Sequence, residues 1–214
     1  MNQIPDQEFT MRIDRLEALA DAAIAIVLTV LVLLLEPPTA DETSGDMLAY
    51  LLEKWHILAA FALSFILIAL YWLNHHAIFH YVKQGTLTLL WFNLIFLLTV
   101  ALIPFPTALL VDAPTHEHSI IIYACAHLLC SLTLVVMWFY ITKRPHLTHE
   151  TLNAERKKRT THKLIFPPTL YALAIGICLF SRVLSLILFA AIPIYHMLID
   201  RSTLYHTVET RQAG

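Results

Sequence analysis

Glycine is scarce in this chain, with four in 214 residues. That scarcity excludes the Gly-rich loops that cradle phosphates, and no nucleophile elbow or Ser-His-Asp constellation is present. Charge is sparse too, at 14% Asp, Glu, Lys and Arg, where a soluble domain carries about a quarter. Cys125, Cys130 and Cys178 form no CxxC and all fall in apolar runs, so they read as small buried residues rather than metal ligands. No small-residue cleavage site follows the first apolar run, which leads into Glu36-Pro37-Pro38. That run is expected to persist as the first span.

What the chain has instead is apolar length. Hydrophobic residues make up 58%, the mean hydropathy is +0.66, and the excess lies in runs too long for core strands. The pattern predicts an all-α integral membrane protein of six spans, near 18–36, 54–76, 86–110, 118–141, 164–181 and 183–200. Proline ends the first span, and Pro104 and Pro106 are expected to kink or unwind the outer end of the third. The tract 164–200 is too long for one crossing, and Ser181-Arg182 is its expected turn.

Orientation follows from basic residues. Six spans put Arg12, Arg15, Lys83, Lys143, Arg144, Arg156, Lys157, Lys158, Arg159, Lys163, Arg201 and Arg211 on one side, and Lys54 and Arg182 on the other. Twelve against two places both termini and a basic loop, 142–163, in the cytoplasm. The cluster 156–159 reads as a topology determinant beside anionic headgroups, not as a nucleic-acid patch.

Polar groups at membrane depth are costly and therefore candidates for function. Three sets lie near the inner ends of the first three spans: Arg15, Glu17 and Asp21; Asn74, His75, His76 and His80; Trp91 and Asn93. A network of Arg15, Asp21, His75, His76, Trp91 and Asn93 would satisfy these groups mutually and lock the helices, with either histidine the inward one. His76 and His80 have metal-ligand spacing, but the other histidines are scattered without a second spaced box, so no bound metal is expected. In the first span, Ile26, Val30 and Leu33 share a helical face, with Thr29 as a lone hydroxyl beside them. Asp14, Glu17 and Asp21 at one end, and Glu36, Asp41, Glu42 and Asp46 at the other, would enrich cations at both mouths.

The stretch Arg15-Leu-Glu-Ala-Leu-Ala-Asp21 resembles the Arg-x-x-x-Phe-Ser-Asp signature of the transmembrane protein 175 family of potassium-permeable channels. Tyr71-Trp-Leu-Asn-His-His-Ala-Ile-Phe79, Trp91-Phe-Asn93 and Ile103-Pro-Phe-Pro-Thr107 are similar to that family in order and spacing. Leu19 and Ala20 depart from it, standing where the family has Phe and Ser. The resemblance implies a single-repeat bacterial member, a homotetramer in the plasma membrane whose four first helices line a central pore. It implies constricting layers at Ile26, Val30 and Leu33, potassium preference aided by Thr29, and no cofactor besides the permeant monovalent cations, potassium first. Val30 is smaller than the leucine common in the family, so the resemblance implies a pore wider or less selective at that layer.

Other readings compete with a weakly selective potassium leak channel. One is a proton-coupled carrier or proton conductor using Asp21 with His75 and His76, since histidine titrates near neutral pH. Another is a metalloenzyme centred on His75, His76 and His80, and a third is a membrane protein that transports nothing. The expected partners are membrane lipid and further copies of the chain, with no nucleic acid.

Overall fold

The structure is a computed structural model that describes residues 12–35, 37 and 47–196. The expected outer acids Glu36, Asp41, Glu42 and Asp46, the last turn of the sixth expected span (197–200), Arg201 and Arg211 lie outside the described residues. The described chain is helical, apart from one antiparallel bridge between Val82 and Thr148.

Helix α1, Ile13–Val30, tightens into a 3-10 segment over Leu31–Leu34. Then come α2, Met47–Glu53, and α3, Trp55–Phe79. Next is α4, Leu87–Leu102, which starts where the Thr86 hydroxyl accepts from the Leu89 N–H at 3.2 Å, an N-cap that satisfies an orphan donor. Helix α5, Pro104–Asp112, follows directly. Pro104 has no N–H to give, so the chain breaks at Ile103 and restarts with proline in the first turn, where none is needed. Helix α6 runs Glu117–Thr142, α7 runs Ala154–Cys178, and α8 runs Arg182–His196. Among the described residues, four stretches are long and apolar enough to cross a membrane: Ile13–Leu34, Trp55–Phe79, Leu87–Asp112 and Glu117–Thr142.

The expected loop over 142–163 is mostly replaced. A short 3-10 turn, Pro145–Leu147, follows α6, and α7 already begins at Ala154. Asn153 caps that start by accepting from the Arg156 N–H at 2.8 Å, and Glu155 lies in the first turn. Polarity suggested a loop, but Lys, Arg and Glu are good helix formers once capped. The basic cluster therefore rides on a helix.

Helix α6 is the centre of the bundle, packed against α7, α4, α5 and α3. Helix α1 lies against α3 and α4. Helix α8 folds back along α7: the Ser185 hydroxyl donates to the Ala174 carbonyl at 2.9 Å, and Phe166 stacks on Tyr195 at 3.6 Å. The Lys83 N–H donates to the Leu147 carbonyl and the His149 N–H to the Tyr81 carbonyl, which ties the α3–α4 turn to the segment after α6.

Candidate functional site

Helix α1 has two unlike faces. Leu16, Ala20, Ile24, Val27 and Leu31 recur at four- and three-residue spacing and are buried against the bundle. The other face carries Ile26, Val30 and Leu33, with fractional exposures of 62%, 40% and 74%. Ile26 and Val30 are one α-helical turn apart. The switch to 3-10 winding, in which side chains three apart eclipse, keeps Leu33 in line with Val30.

Thr29 shares this outward face and donates its hydroxyl to the Ile26 carbonyl at 2.8 Å. Its hydrogen is thereby turned to the backbone, so on the outer side its oxygen acts only as an acceptor. An acceptor oxygen among branched apolar side chains is a group that can touch a cation without binding it tightly.

In the first half of α1, three polar contacts reach the helix from its neighbours, and a fourth joins α3 to α4 behind it. The Trp72 indole donates to Asp21 Oδ1 at 2.7 Å. His75 Nε2 lies 2.8 Å from Asn93 Oδ1, and because that oxygen only accepts, Nε2 carries the proton. Asn93 Nδ2 reaches the Leu16 carbonyl of α1 at 3.5 Å. His76 Nδ1 stands 3.8 Å from Glu17 Oε1 and stacks on Trp72.

The structure resolves the two histidines by face. His75 is buried between the rings of Phe79 and Phe96, at 4.3 and 5.2 Å, whereas His76 is exposed. Adjacent helical residues point about 100° apart, so they cannot serve one inward site together. Of the six residues expected to form one network, Asp21, His75, His76 and Asn93 are used, in separate pairs. Arg15 is exposed and has no side-chain bond to them. Trp91 is 59% exposed, on the face of α4 opposite Leu89, Asn93 and Phe96, and Trp72 supplies the indole instead. His75, His76 and His80 are not gathered, and among the described residues no group of three or more His, Cys, Asp or Glu is arranged to hold a metal.

A second polar layer escaped the sequence. Ser64 Oγ lies 3.0 Å from both Thr107 Oγ1 and the Tyr123 hydroxyl. The Tyr71 hydroxyl is 2.9 Å from His127 Nδ1 and donates to Tyr171 at 3.0 Å. All six residues are buried. The only sequence signal was a lone polar residue on each of several apolar runs, such as Ser64 and His127, and nothing in one helix says which other helix completes it. Beside this layer a cavity of ≈ 10 Å³ touches Tyr71, Asn74, Ser131 and Tyr171, enough for about one water.

The chain is similar to known channels. The family described as "Endosomal/lysosomal potassium channel TMEM175" matches residues 15–104. A potassium channel of Streptomyces collinus is 30% identical over 187 residues, covering 85% of this chain and 90% of that protein. A potassium channel of Chamaesiphon minutus is 30% identical over 203 residues, covering 92% and 98%. A crystal structure of a lysosomal potassium-selective channel TMEM175 homolog from Chamaesiphon minutus superposes with a TM-score of 0.75 at 30% identity, covering 87% of this chain and 96% of that one.

Proposed function

Because this chain belongs to the TMEM175 family, we propose that it conducts potassium across the plasma membrane as a homotetramer whose four copies of α1 line the pore. The family is one of ion channels, not enzymes. In this reading Ile26, Val30 and Leu33 form stacked apolar rings that block ions sterically and by dewetting, and conduct on slight dilation. Thr29 adds a ring of acceptor oxygens one residue before Val30. In this reading the ion passes apolar side chains rather than a backbone-carbonyl cage, so preference for potassium over sodium is modest, on the order of 1–2 kcal/mol or less.

One observation carries the reading. Helix α1 is held by one face and leaves an apolar column with a single hydroxyl uncovered by its own subunit. Six crossings, with α7 and α8 as the last two, and cytoplasmic termini complete the proposal, on the strength of the twelve-to-two split of basic residues.

Ion flux into liposomes holding the purified protein, under potassium, sodium and proton gradients, tests it. Potassium flux should exceed sodium flux, and Ile26→Asn should raise it by wetting the innermost apolar ring. Absence of flux under every gradient sinks the channel. Flux that ignores changes at Ile26, Val30 and Leu33 sinks the pore assignment alone.

A further inference from the structure

We propose that the basic first turns of α7, together with the end of α6, bind anionic lipid headgroups. At 1.5 Å per residue, Ala154–Cys178 is roughly 37 Å long. The charged part before Leu164 takes roughly 15 Å of that and the apolar part from Leu164 on roughly 22 Å, which fits within the ~30 Å hydrocarbon core of a bilayer. Its exposed positions change chemistry along the axis. Arg156, Lys158, Arg159 and His162 are exposed before Leu164, while Ile165 and Leu173 are exposed after it. The change from charged to apolar puts the acyl boundary near Leu164 and the cations at headgroup depth.

The neighbourhood adds to the charge. Lys157 Nζ donates to the Thr142 carbonyl at 3.0 Å, which draws the end of α6, with Lys143 and Arg144, alongside. Residues 142–163 hold seven Lys and Arg against Glu150 and Glu155. Cations are also crowded into the N-terminal turns of α7, the end where the helix dipole disfavours them. An anion seated there relieves both the mutual repulsion and the dipole conflict. Phosphate-bearing lipid is the anion present at that depth, and its chains would lie along the apolar continuation of the same face.

This inference needs the membrane-spanning bundle but not conduction. The full-length protein in neutral detergent is titrated with phosphatidylglycerol or phosphatidylcholine, and bound lipids are counted by native mass spectrometry. The wild type should prefer phosphatidylglycerol by at least tenfold. Removing one cation near an anionic surface costs about fivefold in binding, so K158Q/R159Q should lower the wild-type preference by up to about 25-fold. Lys54→Gln, far along the chain and outside this cluster, should change nothing. If K158Q/R159Q does not fold, rising salt on the wild type gives the same answer, because screening should erase the preference. An equal preference in wild type and variant, or one indifferent to salt, overturns the proposal. So does no preference at all, the outcome for a segment whose charge serves only to orient the chain during insertion.

Discussion

The bond between His75 and Asn93 is the most demanding test of how α1 is held. The two side chains are buried, 2.8 Å apart, and Asn93 also reaches the α1 carbonyl of Leu16. Asn93→Ala leaves the Nε2–H of His75 buried without an acceptor. In soluble interiors that costs about 1–3 kcal/mol. In a membrane protein the unfolded reference also finds partners, and measured interhelical bonds average about 0.6 kcal/mol with a maximum near 1.7. A loss of about 1 kcal/mol is therefore expected for Asn93→Ala, and less for Asn93→Leu in the background of His75→Phe, where both polar partners are replaced by apolar ones of similar shape. The assay is reversible unfolding in mixed micelles, arranged as a double-mutant cycle, with potassium flux recorded on the same samples. The cycle should show a favourable coupling of about 0.5–1.5 kcal/mol. Additive effects of the two changes would refute the bond. A full coupling with unaltered flux would refute the view that it sets the placement of α1.

Three further outcomes follow from the same geometry. Val30→Leu adds a methylene to the outward column and should reduce potassium flux several-fold without changing unfolding; an unchanged flux argues against a constriction there. Trp72→Phe removes the donor to Asp21 and, at a part-exposed site, should cost about 0.5–1 kcal/mol, whereas Trp91→Phe on the exposed face of α4 should cost close to nothing. Thr107→Val keeps the shape but deletes the bonds to Ser64 and to the Ile103 carbonyl; unfolding in micelles should show a loss of about 1 kcal/mol, and a neutral result removes this layer from the account.

The shared face of the candidate column on α1 was legible because its signals are local. The lone hydroxyl of Thr29 and the spacing of Ile26, Val30 and Leu33 lie within two turns of one helix. The pairing of polar residues was not legible to the same degree. Trp91 and Trp72 are equally good indole donors in a string of letters, and only the faces of α3 and α4 decide that Trp72 meets Asp21 while Trp91 points away. His75 and His76 are likewise indistinguishable until packing puts one between Phe79 and Phe96. The segment before Leu164 shows a different failure. Its charges suggest a loop, yet a side-chain cap at Asn153 and high helix propensity extend α7 through them.

By itself the sequence determined that the chain is helical and membrane-embedded, and that Pro104 interrupts it. Those properties depend on run length, missing backbone donors and the cost of polar groups in hydrocarbon, all of which act along the chain. The tertiary structure alone decided which face of α1 is buried, which histidine is sealed in, and which helices complete the layer around Ser64 and His127. Inside a membrane the lipid is as apolar as the core, so hydrophobicity does not choose between faces. Close packing and the matching of scarce polar groups do, and both are relations between helices that no single run of residues contains.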